Sequence, residues 1–185
     1  MTEQIIMAGF GGQGVLSMGK ILAKAALHEG KNVSWLPSYG PEMRGGTANC
    51  NVIISDDEIG TPIVTDATSV LVLNRPSLAK FENDVIPGGS LIVNSSLISN
   101  KTIRDDIQAY YVPASEVANE IGDSRATNMV MLGAYMEITR IVDKDTVIKV
   151  ITEAFKNKNP KIIELNIKAL TLGADCAKEH MGAIA

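Results

Sequence analysis

Residues 4–15 read Gln4-Ile5-Ile6-Met7-Ala8-Gly9-Phe10-Gly11-Gly12-Gln13-Gly14-Val15, a short apolar run that ends in a turn holding four glycines in six residues. An apolar run of this length bounded by glycine suits a buried strand over Gln4–Ala8. The next apolar positions, Val15, Met18, Leu22 and Ala25, recur at helical spacing, and Gly30 after His28 and Glu29 supplies a helix stop. A second strand over 33–36, parallel to the first, completes a βαβ unit with the usual right-handed crossover. Strand, glycine turn and helix in this order predict a Rossmann-like start.

Downstream, residues 37–46 carry two prolines and three glycines, too many for regular structure, and lead into 48–54, where Ala48, Cys50, Val52 and Ile54 alternate as in a strand. Residues 70–73 and 91–93 are continuous apolar runs that suit strands covered on both faces. A helix is expected over 76–85, with Pro76 at a tolerated early position, and Pro87-Gly88-Gly89 turns the chain back to the sheet. The last third reads as helices over 127–142, over 146–156 and from Asn159-Pro160 onward, with Asn159 as the cap. No repeat, linker or low-complexity stretch interrupts the 185 residues. The expected architecture is one α/β domain over 1–185, a three-layer α/β/α arrangement with a mostly parallel sheet.

Seventeen basic residues against 21 acidic ones give a net charge of −4, and the basic residues are scattered. That pattern speaks against a nucleic-acid partner. Met1-Thr2-Glu3-Gln4 lacks the basic start and long apolar stretch of a secretory signal, and no run is long enough to span a bilayer. The expectation is a cytoplasmic protein without a membrane partner. Cys50 and Cys176 are the only cysteines, and His28 and His180 stand far apart, so no metal site is expected. Cys50 reads as a core residue of its strand, and Met129, Met131 and Met136 as core filling. Asn94, Ser95 and Ser96 end a strand where ligand crevices open in such sheets, but they read first as caps for the next turn.

Two constellations are suited to chemistry. Gly9, Gly11 and Gly14 match G-x-G-x-x-G between a strand and a helix, where backbone N–H groups and the helix dipole hold an anion. A dinucleotide site also needs a carboxylate about 20 residues later, at the end of the second strand. Ser34-Trp35-Leu36-Pro37-Ser38 offers none there, and the first carboxylate after it is Glu42, so NAD binding is disfavoured. A purely structural tight turn stays open. The second constellation is Tyr39-Gly40-Pro41-Glu42-Met43-Arg44-Gly45-Gly46-Thr47-Ala48. Arg44 beside Gly45 and Gly46 has the means for a two-pronged contact to phosphate or carboxylate; an ion pair with Glu42 that stiffens the loop is the equal alternative.

Both constellations together, extended through Asn49-Cys50 and continued in Asn94-Ser95-Ser96-Leu97-Ile98, Val112-Pro113-Ala114 and Asn128-Met129-Val130-Met131-Leu132-Gly133-Ala134, resemble the gamma subunits of 2-oxoacid:ferredoxin oxidoreductases over nearly the whole chain. The P-E-M-R-G-G loop is most similar to the branch acting on 2-oxoglutarate or branched-chain 2-oxoacids, with 2-oxoglutarate first and 2-oxoisovalerate second. It is less like the pyruvate branch or the small subunit of indolepyruvate:ferredoxin oxidoreductase.

The resemblance implies a subunit, inactive alone, of an enzyme that decarboxylates a 2-oxoacid, forms acyl-CoA and reduces ferredoxin. Alpha and beta subunits that bind thiamine, and a ferredoxin-like delta subunit, are the partners it implies. Thiamine diphosphate, Mg and [4Fe-4S] clusters are expected on them, because two cysteines cannot ligate a cubane, and Gly122-Asp123-Ser124-Arg125 departs from the thiamine pattern. No catalytic residue is expected here. The expected cofactor-binding set, facing coenzyme A, is Gly9, Gly11, Gly12, Gln13, Gly14, Glu42, Arg44, Gly45 and Gly46. The alternatives are a structural subunit without a ligand and a free-standing nucleotide-binding protein.

Overall fold

Alternation along the strands sorts the core into two faces of one sheet. In β1 (Thr2–Phe10), Ile5 and Met7 point to one face and Ile6 and Ala8 to the other; in β4 (Ala67–Val72), Val70 and Val72 oppose Leu71 and the following Leu73. The computed structural model describes residues 1–38 and 47–184. It adds α1 (Val15–His28), β2 (Asn32–Ser38), β3 (Thr47–Ser55), α2 (Arg75–Phe81), β5 (Val85–Asn94), β6 (Gln108–Val112), α3 (Ala114–Glu120), α4 (Thr127–Thr139), α5 (Lys144–Phe155) and α6 (Pro160–Ile184). Short 3₁₀ turns at Glu82–Asp84 and Ser124–Ala126 precede β5 and α4.

The six strands form one sheet in the order β2-β3-β1-β4-β5-β6. β1, β4, β5 and β6 pair in parallel, as the expected three-layer α/β fold requires. One detail differs from the sequence reading. β2 has the direction of β1, but it is not its neighbour: β3 lies between them and pairs antiparallel with both, from Thr2↔Ser55 to Phe10↔Thr47 on one side and from Asn32↔Ser55 to Ser38↔Asn49 on the other. The alternation of Ala48, Cys50, Val52 and Ile54 permitted a strand but carried no information about which strand it would join. β2 also runs on through Pro37, expected in a loop; as an edge strand it can place a residue lacking N–H where no ladder bond is needed.

The layers are unequal. Helices α1, α3, α4, α5 and α6 all pack on the face of Ile5, Met7, Leu71 and Ile92, whereas among the described residues α2, through Leu78 and Phe81, is the only helix on the face of Ile6, Val70 and Val93. The helix expected over 76–85 ends at Phe81, and Pro87-Gly88-Gly89 lies inside β5 as a bulge. There the pairing steps from Ala67↔Val85 to Ser69↔Ser90, so β5 carries extra residues against β4. β6 and α3 escaped the sequence reading. Met129 and Met131 are fully buried and Met136 nearly so, filling the core as expected. Asn159 accepts a bond from the Lys161 N–H at 3.0 Å and caps α6.

α4 and α6 cross at two glycines. A Cβ on Gly133 would strike the backbone carbonyl of Leu170, and one on Gly173 that of Val130. In an isolated helix, Gly to Ala adds about 1 kcal/mol of stability. Here backbone faces backbone and no side chain can rotate away, so the overpacking penalty of about 1–3 kcal/mol dominates. Gly133→Ala is therefore expected to destabilise the chain by up to about 2 kcal/mol net, read as a lower denaturation midpoint at unchanged slope.

Candidate functional site

The sheet order places a switch point between β1 and β4: from β1 the chain leaves toward β2 and β3 on one side, and returns to β4, β5 and β6 on the other. In open α/β sheets ligands settle in the crevice at the carboxyl ends of the strands at such a point. The glycine turn lies there. Gly12 and Gly14 have φ of +96° and +75°, conformations that side chains rarely take. Gly9 matters for space, since a Cβ on it would sit 2.7 Å from Gln13 Oε1 and 2.9 Å from Val15 Cγ2. Gly14 occupies the N-cap of α1 and has no side chain to cap it, so among the described residues the first-turn N–H groups have no side-chain acceptor. This is the local geometry of an anion site.

Gln13 closes the turn from behind. Its Oε1 accepts the Phe10 N–H at 2.6 Å and the Asn74 amide at 3.3 Å, and its Nε2 donates to the Leu73 carbonyl at 3.5 Å. One side chain thus ties the loop after β1 to the loop after β4. Asn74 caps α2 through the Ser77 N–H at 2.9 Å. Fully buried Asn94 donates to Ser115 Oγ at 2.9 Å and accepts the Ser115 N–H at 3.4 Å, while Ser96 Oγ accepts the Glu116 N–H at 3.1 Å. The sequence reading made 94–96 caps for the next turn; in the structure Asn94 and Ser96 instead reach the first-turn N–H groups of α3, a long-range link that local spacing does not reveal. Asn128, nearly buried, donates to the Gly14 carbonyl at 3.0 Å and brings the start of α4 against the turn.

Gly12, Gln13, Ser115, Asn119, Arg125 and Thr127 surround a polar cavity of about 220 Å³ beside the turn. Arg125 is its cation. Asp123 holds it through Nε at 2.9 Å and Nη2 at 2.7 Å, which lowers the Asp123 carboxyl and raises the guanidinium from their ordinary values. The Arg125 side chain is nonetheless 81% exposed. A larger cavity of about 670 Å³ lies at the far end of the helices, rimmed by Glu29, Lys31, Arg140 and Lys144. Its mixed charges meet no glycine turn and no strand carboxyl end, so the smaller cavity is the better candidate.

Of the residues expected at the site, Gly9, Gly11, Gly12, Gln13 and Gly14 stand together at the switch point; Glu42, Arg44, Gly45 and Gly46 lie outside the described residues. Sequence reasoning passed over Asn74, Ser115, Asn119, Arg125 and Thr127. Asn74 was accessible to it, because it ends the run Val70-Leu71-Val72-Leu73 just as Asn94 ends Leu91-Ile92-Val93. The dinucleotide reading loses further ground: β2 ends at Ser38 without a carboxylate, and β3 separates it from β1, which moves the usual ribose-binding position away from the turn. Among the described residues no group of three or more side chains is arranged for a metal ion, and no helix is long and apolar enough to cross a membrane.

The sequence matches the family model described as pyruvate ferredoxin/flavodoxin oxidoreductase over residues 4–176. The chain belongs to this family. It is 42% identical to the ketoisovalerate oxidoreductase subunit VorA of Methanothermobacter thermautotrophicus over 96% of its own length, but it spans only 37% of that relative. Against the 2-oxoglutarate synthase subunit KorC of Methanothermobacter marburgensis the identity is 36%, with 97% of this chain and 98% of the relative covered. Among solved structures, the 2-oxoglutarate:ferredoxin oxidoreductase of Magnetococcus marinus, with 2-oxoglutarate, coenzyme A and succinyl-CoA bound, overlaps 96% of this chain and 31% of its own at TM-score 0.89 and 26% identity. The keto/oxoacid ferredoxin oxidoreductase gamma subunit of Geobacter sulfurreducens overlaps 97% and 98% at TM-score 0.84 and 30% identity. The family and fold resemblances read from the glycine turn and the P-E-M-R-G-G loop are thereby borne out.

Two measurements test this description. Gln13→Ala removes the tie between the loops and leaves the Phe10 N–H and Leu73 carbonyl without that partner, which is expected to lower stability by about 1–2 kcal/mol in denaturant unfolding. Cys50 is fully buried, and burial pushes its thiol from 9.0 up to about 12. At pH 8 a thiol reagent is expected to label Cys50 only after denaturation. Because the unfolded thiol ionises first, stability should fall as pH rises through the 9 to 12 window.

Proposed function

We propose that the chain is the gamma-type component of a 2-oxoacid:ferredoxin oxidoreductase, which converts a 2-oxoacid and coenzyme A to acyl-CoA and CO2 while ferredoxin takes the electrons. Its own role is to hold an anionic part of coenzyme A on the Gly9–Gly14 turn at the switch point. The observation that supports this most is an uncapped, glycine-lined helix start at the crevice of a fold so close to that of an enzyme solved with coenzyme A bound. The N–H groups there are fixed before the ligand arrives, so they orient it without reorganisation.

The residues do not suit the reaction's redox groups. A cubane cluster takes about four thiolates, and this chain has buried Cys50 in β3 and half-buried Cys176 in α6. No step of the electron transfer is assigned to it. Thiamine diphosphate, Mg and the [4Fe-4S] clusters belong on this reading to alpha and beta partners and a ferredoxin-like delta partner, in the cytoplasm. The described side chains at the crevice are amides, hydroxyls and one guanidinium, which bind and position but offer no nucleophile or general base. A 2-oxoglutarate or branched-chain 2-oxoacid fits the names of the relatives at 36% and 42% identity better than pyruvate, whose PorC relative from Methanocaldococcus jannaschii is 29% identical. Glu42, Arg44, Gly45 and Gly46 enter the reading from sequence alone, as a second anion contact.

Gly12→Asp tests it. A Cβ there meets nothing within 4 Å, so the side chain fits; the positive φ adds strain of about 1–2 kcal/mol, and the carboxylate faces the anion site. In the assembled complex the variant is expected to weaken coenzyme A binding about tenfold or more, with the KM for the 2-oxoacid unmoved, and Arg44→Ala is expected to act in the same direction. Coenzyme A binding at wild-type strength in Gly12→Asp would leave only the structural-subunit reading.

A further inference from the structure

The cavity of about 670 Å³ at the far end of the helices takes no part in the coenzyme A site proposed above. α1 carries the chain away from the glycine turn over roughly 20 Å to Glu29, whose Oε1 accepts the Asp143 N–H at 2.7 Å and ties the end of α1 to the start of α5. The space between these ends and α6 falls within the roughly 300 to 1,000 Å³ that organic ligands occupy. Its floor is apolar, made of buried Met136, Ile141, Val142, Leu170 and Ala174. Charges of both signs stand on its rim. Lys31 is held by Asp56 at 3.3 Å, and Asp143 and Lys144 are neighbours at the start of α5.

Glu137 is the under-bonded group of this rim. Its side chain is only 20% exposed, yet its two cations, Arg140 at 3.5 Å and Lys178 at 3.9 Å, stand beyond ordinary hydrogen-bond length. Among the described residues, this mostly buried carboxylate therefore accepts no hydrogen bond, which such groups normally do. Lys178 reaches Asp175 as well, at 3.4 Å. Arg140, 78% exposed, ends α4 at φ +51°, a backbone state that glycine or asparagine takes more readily. An ordinary ion pair three residues apart on a helix surface needs neither the burial nor the left-handed backbone.

We propose that this cavity binds an aliphatic α-amino acid. The ammonium sits on Glu137, the carboxylate on Arg140 and Lys178, and the side chain against Met136, Leu170 and Ala174. A zwitterion carries both charges on one carbon, as the wall presents both on one helical turn, and it replaces two long contacts by short charge-assisted hydrogen bonds. A simple carboxylate leaves Glu137 facing a like charge, and a simple amine leaves Arg140 and Lys178 without a partner. The left-handed backbone at Arg140 is on this reading strain retained for binding.

Calorimetric titration of the purified full chain with L-leucine tests it. L-Leucine is expected to bind. Its analogues 4-methylpentanoate, which lacks the ammonium, and 3-methylbutylamine, which lacks the carboxylate, are each expected to bind about tenfold more weakly or worse. Glu137→Gln and Arg140→Gly should each weaken L-leucine about tenfold or more. Glycine accepts the positive φ at 140, so the denaturation midpoint of Arg140→Gly should not fall, and its lost affinity cannot come from unfolding. Saturating coenzyme A should leave L-leucine bound. No binding of L-leucine, an analogue that binds as tightly, or wild-type affinity in both variants would overturn the amino-acid site. Displacement by coenzyme A would overturn it too, by moving the L-leucine signal to the glycine turn.

Discussion

At the carboxyl ends of β1 and β4 the side chain of Gln13 ties the loop after one strand to the loop after the other. Its amide joins the Phe10 N–H, the Asn74 side chain and the Leu73 carbonyl. Such a part-buried polar junction is strongest when its members are satisfied together. Asn74, Asn94 and Asn128 complete it by capping α2, linking β5 to α3 and fastening α4 to Gly14. The small residue at Gly9 is part of the same constraint, because a methyl group there would displace Gln13.

The unequal layers follow from a second constraint. Five helices crowd one face, and α4 and α6 reach each other only because Gly133 and Gly173 let backbone touch backbone. Their approach fixes where the start of α4 falls, and with it Arg125 and Thr127 beside the glycine turn. The antiparallel insertion of β3 has a functional counterpart. By taking the place beside β1, it moves the end of β2, where a dinucleotide site expects its ribose-binding carboxylate, away from the glycine turn.

Much was legible from periodicity and composition. The buried strand, the glycine turn, α1 and β3 were read within a residue or two of their observed extents, and the helices of the last third within three. β6 and α3 were not, because Gln108-Ala109-Tyr110-Tyr111-Val112 is short and partly polar and α3 has few apolar residues. The core roles of Cys50 and the methionines followed from their apolar neighbours. Arg125 did not follow, since a lone exposed arginine beside an aspartate looks like any surface ion pair until its neighbours in space are known.

The sequence by itself determined the α/β class, the glycine turn between strand and helix, and the family, because each rests on local spacing: apolar periodicity, closely spaced glycines, and motifs of adjacent residues. Only the tertiary structure decided that β3 separates β1 from β2, that Gln13 faces the protein, and that Arg125 stands beside Gly12. These depend on which strands pair and which helices cross closely, and such choices are made by packing between residues far apart in the chain, as the Asn128 bond to Gly14 illustrates at a sequence separation of 114.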